Sequence, residues 1–282
     1  MWSPRWRRRH PSEHRQTLLA ARGGRYGLWR SFIPRALLGY ALLALFPTTL
    51  VRAESAWPEQ PGIFNSSQKR YRLNREKLGR ISASLEQVTG WRGIHFDHDA
   101  QLCLKEVRLA ATGSPTARAI VLKALQETII ILEDRSRSLD VAFAAIRREA
   151  VYHKASGGQL PVFSLRVDFE DFQYLRGHPV ALQAFDLGFV LLHELVHAAL
   201  DRRDPVDSRG AFDPGDCEAL VNEVRAELNL PLRMHYHSEY VLPSLLSTLT
   251  FGRLRFERVI ERGGKSRREV YVIQWPRPFV SH

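Results

Sequence analysis

Two periodicities divide the chain from residue 71 onward. In "SPTARAIVLKALQE", Ser114 to Glu127, the apolar positions Ala117, Val121, Ala124 and Leu125 return every three or four residues, the signature of one helix face. Ser114 before Pro115 marks the start of that helix. "NREKLGRISASLEQV" predicts a shorter helix upstream. "TIIILED" is β-branched and predicts a strand, and "VFSLRVDF", Val162 to Phe169, alternates apolar with polar residues and predicts another. "RGIHFDHD", Arg92 to Asp99, reads as a strand or extended loop, while "LDVAFAAIRR" fits helix and strand equally well. The longest apolar helix is "ALQAFDLGFVLLHELVHAALD", up to about five turns, with a break expected near Gly188. A Pro-, Gly- and Asp-rich loop follows, Asp201 to Asp216. Next comes the helix "CEALVNEVRAELNL", stopped by Asn229 and Pro231. Near the end, "RLRFERVI" and "EVYVIQW" flank Arg262-Gly263-Gly264-Lys265-Ser266, a hairpin signal. Ala56 to Arg70, rich in Pro, Ser, Asn and Gln, reads as a linker.

Charge changes this picture only at the N-terminus. The formal charge of +11 suggests a nucleic-acid binder until it is located. Residues 1–53 carry ten arginines and one acid, Glu13, whereas 54–282 carries 31 basic and 29 acidic side chains. The basicity precedes a sixteen-residue uncharged run, Ala36 to Val51, followed by Val51-Arg52-Ala53. This is the layout of an export signal cleaved before Glu54, or of an N-terminal anchor. The expected organisation is a signal or anchor over 1–53, a linker over 54–70 and a single domain over 71–282. Nucleic acid is not expected as a partner, and membrane contact is expected only through the N-terminal segment. The two cysteines, Cys103 and Cys217, fit either one disulfide of an exported protein or two small buried apolar residues.

The chemistry sits in the long apolar helix, as His193-Glu194-Leu195-Val196-His197. Residues i and i+4 share a helix face, so both imidazoles can reach one point, as zinc requires. Glu194 is rotated about 100° from His193, beside the pair, where a carboxylate can take a proton from a metal-bound water. Unpaired polar groups in so apolar a helix would be costly, and metal ligation would satisfy them. A catalytic zinc site needs a third protein ligand. The metzincin arrangement would need Gly at 200 and His at 203, where the chain has Leu200 and Arg203. The next helix offers Glu218, Glu223 and Glu227. Its projection puts Glu218, Asn222 and Arg225 on one flank of the apolar stripe and Glu223 and Glu227 on the other. Glu223, or a loop aspartate (Asp213 or Asp216), remains an alternative to Glu218.

Over His193 to Asn222 the sequence resembles the gluzincin metallopeptidases, the thermolysin-like class. Their pattern is His-Glu-x-x-His, a loop, then a helix bearing Glu-x-x-x-Asp; here the last part reads Glu218-Ala219-Leu220-Val221-Asn222, with Asn where Asp is usual. The resemblance implies a zincin-like α+β fold, with an N-terminal sheet-bearing part packed on two active-site helices and a C-terminal β-hairpin. It implies Zn²⁺ held by His193, His197 and Glu218, with Asn222 orienting a ligand histidine through its second nitrogen. It also implies a His or Tyr donor from beyond the Glu helix, for which "RMHYHSEY" supplies His235, Tyr236 and His237. Arg225 has a structural alternative, pairing with an acid such as Asp201. "VFSLRVDF" is expected at the sheet edge beside the cleft, where an extended peptide could add. The expected function is an exported zinc-dependent peptidase, periplasmic or secreted, with Glu194 as general base and a peptide or protein substrate. The rival is an exported, non-catalytic binding or scaffold protein with a structural or vestigial metal site.

Overall fold

Capping side chains start the first two helices where the sequence places them. The computed structural model describes residues 57–104, 108–109, 112–205, 213–241 and 249–278. The signal or anchor expected over 1–53 lies outside the described residues. Strand β1 (Gly62–Asn65) is the first element. It falls inside the stretch expected to be a linker, yet all four of its residues are buried. Two apolar residues give too short a run to announce a strand; tertiary pairing makes it one. Asn65 also closes the following turn, its side chain bonding both the N–H and the C=O of Leu73 at 2.9 Å.

Helix α1 (Arg75–Thr89) is capped by Asn74, which accepts from the Lys77 N–H, and stops at Gly90 in the left-handed conformation. Helix α2 (Pro115–Glu127) is capped by the Ser114 hydroxyl, as expected. Ala117, Val121 and Ala124 are fully buried along it. Strands β2 (Ile129–Asp134), β3 (Ala144–His153) and β4 (Gln159–Val167) complete a four-stranded sheet of order β1-β2-β4-β3. β1, β2 and β4 run parallel, and β3 is antiparallel to β4. This corrects one expectation. The "VFSLRVDF" strand, β4, is internal, and the edge is β3, whose sequence left helix and strand undecided. β4 is apolar on both faces: Leu165 and Val167 join the main core, while Leu160 and Val162 join a smaller cluster with Phe64 and Ile129.

After the short strand β5 (Arg176–Gly177) and helix α3 (Pro179–Gln183) comes α4 (Leu187–Leu200), the motif helix. The break lies at 184–186 rather than at Gly188, because Asp186 caps α4 by accepting from the Phe189 N–H at 3.2 Å. Gly188 serves close packing instead: a Cβ there would come within 2.6 Å of the Ser84 carbonyl on α1. Twelve of the fourteen α4 residues are buried, so its nearly uniform apolarity is that of a central core helix. It packs against α1, α2, β3 and helix α5 (Gly215–Glu227). Asn229, at φ 56°, follows the end of α5, where the sequence predicts the stop.

The C-terminal part is a second sheet. Strands β6 (Leu232–Arg233) and β7 (Glu239–Val241) both pair with β8 (Leu249–Arg262), which pairs over its whole length with β9 (Lys265–Pro278); β9 pairs with β5. The β8–β9 turn is Gly263-Gly264, both at positive φ, the two-residue hairpin turn that the glycines permit. Leu254, Phe256, Ile273 and Trp275 carry the base of this hairpin into the main core. Cys103, in contact with Asp97, and Cys217, fully buried, form no disulfide with each other, so of the two readings the disulfide is not met.

Candidate metal centre

The site is set by the way α4 ends. Asp201 takes the left-handed conformation, φ 50°, and reverses the chain. Had the helix continued, residue 204 would lie about 10 Å along the axis from His197. Instead the return brings the Arg202 carbonyl to His197 Nδ1, at 2.7 Å, and carries the Asp204 carboxylate over both histidines. Asp204 Oδ1 lies 3.2 Å from His193 Nε2, and Oδ2 lies 3.2 Å from His197 Nε2.

One ligand atom from each of the three side chains lies within 4.8 Å of the others, close enough for a metal to draw them together, although each imidazole faces a different Asp204 oxygen. Two ligands about 2.05 Å from a tetrahedral zinc stand roughly 3.3 Å apart. Asp204 Oδ1 is buried and makes no aligned hydrogen bond among the described residues, although it faces His193. The other nitrogen of each imidazole faces a polar group. Nδ1 of His197 faces the Arg202 carbonyl, with the Cys217 thiol 3.4 Å away. Nδ1 of His193 faces Glu218 Oε2 at 3.3 Å, a charge contact rather than an aligned hydrogen bond. A ring anchored through Nδ1–H directs the lone pair of Nε2 toward a metal.

Glu218 therefore stands on the far side of the His193 ring from the point where Nε2 and Asp204 meet. It is fully buried between two cations, Arg225 Nη1 on one oxygen and Arg233 Nη1 on the other at 2.9 Å. To ligate a metal it would have to leave one of them, and Arg225 is only 1% exposed. An unpaired buried guanidinium costs on the order of 3–5 kcal/mol. The projected helix faces are as expected, since Glu227 points away and binds Ser114 and Thr116. The role the position supports is different. Asn222 also differs from expectation: it touches no histidine, accepting from Arg225 Nη1 and the Arg233 N–H and donating to the Arg233 carbonyl. Asn222 holds the two arginines that hold Glu218, and Arg225 pairs with Glu218 rather than Asp201.

Asp204 is the residue the sequence reading missed; the loop aspartates it weighed were Asp213 and Asp216. Asp213 bonds the Gly215 N–H and Asp216 faces Arg202, both exposed. Of the cluster beyond α5, Tyr236 reaches the centre. Its hydroxyl donates to Asp204 Oδ2 at 2.6 Å, and its ring stacks on His193 at 5.8 Å. His237 is exposed, edge-on to Tyr236 at 5.0 Å, and lines the adjoining cavity; His235 does not line it.

Glu194 is buried beside this centre, and Oε2 accepts from the Ile146 N–H of β3 at 2.9 Å. Burial pushes its carboxyl pKa up, against the two histidines, which pull it down. Burial also works against the charged imidazoles, but Asp204 and Glu218 outweigh it at His193, raised to about 9. At His197, Asp204 with Cys217 and the Arg202 carbonyl raises the pKa to about 11. Burial would raise the Asp204 carboxyl, yet the histidines and Tyr236 hold it well below the usual range. Arg233 and Arg225 do the same for Glu218 against its burial. The centre thus favours positive charge at the point where the two Nε2 atoms and Asp204 meet.

A cavity of about 220 Å³ adjoins the centre. Phe143, Phe185, Phe189, Val190, Leu254 and Trp275 form its apolar walls, and His193, Glu194, Arg233 and Tyr236 its polar ones. No protein-family model, curated protein or solved structure matches the chain.

Proposed function

We propose that the protein is a zinc-dependent peptidase in which His193, His197 and Asp204 hold the metal, Glu194 is the general base and Glu218 orients His193. The carrying observation is the Asp204 carboxylate facing both imidazoles, one oxygen 3.2 Å from each, with a buried second carboxylate beside them. Zinc bound there supplies a Lewis acid and a water of lowered pKa. Two histidines and a carboxylate also suit ferrous iron. A carboxylate placed as a base is what hydrolysis needs and oxygen activation does not, which favours zinc.

The remaining roles belong to the chain. Glu194 has one oxygen held by the Ile146 N–H, which leaves the other to accept a proton from water and pass it to the leaving amine. Its burial raises its basicity and keeps solvent from competing. Tyr236 fixes Asp204, and its ring covers His193. The Ile146 N–H points toward Glu194, so the free side of the edge strand β3 faces the centre. Arg148 presents its main-chain groups the same way before the register shift between Arg148 and Ala150, while the Ala144 N–H is bonded to the Ala142 carbonyl. An extended peptide pairing along β3 brings its main chain past Glu194, and the apolar cavity takes one large side chain next to the scissile bond.

Glu194→Gln tests this reading. The amide keeps the shape and the Ile146 contact but cannot take the proton. Zinc content and melting temperature should match the parent, while cleavage of a broad peptide library falls at least about 10²–10⁴-fold. Equal cleavage by the variant, or a zinc-loaded parent that cleaves nothing, would contradict the assignment.

A further inference from the structure

The β8–β9 hairpin runs well past the core that anchors it. Phe256 is its last fully buried residue, and the Gly263-Gly264 turn lies seven to eight residues further, an overhang of about 20 Å or more. A Cβ on either glycine would meet nothing within 4 Å, so the tip projects freely. The 30 residues from Leu249 to Pro278 carry eight basic and three acidic side chains, while the rest of 54–282 carries more acids than bases.

Register sorts these charges by face, since residues paired across an antiparallel ladder share a side. Arg258↔Glu269, Ile260↔Arg267 and Arg262↔Lys265 lie on one face. Four cations there meet a single acid, and Glu269 is already engaged by the Tyr271 hydroxyl. Arg262, Lys265 and Arg267 have no ion pair among the described residues. On the other face Glu257 pairs with Arg268 at 3.3 Å, and Glu261 accepts from Ser266. That face also leaves Val259 and Val270 62% and 51% exposed. Guarding a free strand edge against aggregation needs scattered charge, not four cations gathered on one face.

We infer that the outer half of this hairpin, residues 257–270, is a docking element for an anionic membrane surface. The four basic side chains of the first face meet lipid phosphates there, and Ile260 on the same face lies at the headgroup boundary. Nucleic acid fits less well. The segment has no aromatic ring to stack on bases and no Asn or Gln to read them, and exposed aliphatics would gain nothing. The sequence confined membrane contact to the N-terminal segment; this surface is a separate one, independent of the peptidase reading.

The ten N-terminal arginines would themselves attract the full chain to anionic lipid, so the readout must be local to the hairpin. Amide hydrogen exchange over 257–270 is followed in the full chain, with vesicles of phosphatidylcholine alone or containing 30 mol% phosphatidylglycerol (on the order of one anionic lipid in three, enough for the surface potential that draws basic segments). Exchange of outward-facing amides should slow at least about five-fold on the anionic vesicles only, the factor expected for one basic contact. In the triple variant Arg262→Gln, Lys265→Gln and Arg267→Gln, three such contacts are lost and protection should disappear, although the chain still sediments with the vesicles. Protection that persists in the triple variant, protection equal on neutral vesicles, or no protection at all overturns the proposal. Protection by duplex DNA or polyglutamate without protection by vesicles also overturns it, in favour of that partner class.

Discussion

Asp204→Asn and Glu218→Gln separate a metal ligand from the group that orients one. The asparagine keeps the size of Asp204 and an oxygen to accept from the Tyr236 hydroxyl, which donates to Oδ2 of Asp204 at 2.6 Å. It loses the anionic donor facing both Nε2 atoms. If binding of ~10–16 kcal/mol is shared among three protein ligands, each carries roughly 3–5 kcal/mol, or about 10²–10⁴ in affinity. Asp204 faces both charged histidines in the metal-free protein, so its replacement should cost stability there as well. Glu218→Gln differs chiefly in zinc affinity. Weaker orientation of His193 should cost about 10–100-fold in zinc affinity. Removing the anion from between Arg225 and Arg233 should cost on the order of 3–5 kcal/mol of stability, because Arg225 is left buried and unpaired. Competition with a chromophoric chelator gives the affinities, and thermal melts of the metal-free variants give the stabilities. If Asp204→Asn binds zinc like the parent while Glu218→Gln loses zinc without loss of stability, Glu218 is the ligand and the assignment of Asp204 fails.

Four further outcomes are expected. With His193 and His197 raised to about 9 and 11, both are protonated at pH 7 in the metal-free protein, so zinc uptake should release close to two protons. Affinity then falls as pH falls; calorimetry in buffers of different ionisation enthalpy counts the protons, and a count of zero refutes it. The sign for stability is that of raised histidines. Their contribution to the metal-free fold is complete below their unfolded pKa of about 6.5 and is lost as pH rises through 9 to 11, which melts between pH 6 and 11 should show. Tyr236→Phe keeps the ring over His193 but removes the bond to Asp204, and should weaken zinc about ten-fold with little change in melting temperature; unchanged affinity would mean that the hydroxyl does not position Asp204. Gly188→Ala should destabilise the fold by about 1–3 kcal/mol, because the new methyl meets the Ser84 carbonyl of α1 at 2.6 Å; an unchanged denaturation midpoint would count against the close helix contact.

The sequence by itself determined the local features. Caps at Ser114, the stop at Asn229, the Gly263-Gly264 turn and the placing of His193 and His197 on one helix face depend on residues within a turn or two of each other. The division of α5 into flanks, Glu218 with Arg225 on one and Glu227 on the other, follows from helical geometry alone. Tertiary structure decided everything that needs a partner distant along the chain. β1 is a strand because β2 is there to pair with it, and β3 rather than β4 became the free edge through sheet order, which periodicity does not encode. The third acidic group at the centre depended on how the chain leaves α4. The left-handed turn at Asp201 folds Asp204 back over the histidines, while two arginines from α5 and β6 claim Glu218. Helical projection says which way a carboxylate points but not which charge meets it first, and in a low-dielectric interior that meeting fixes its role.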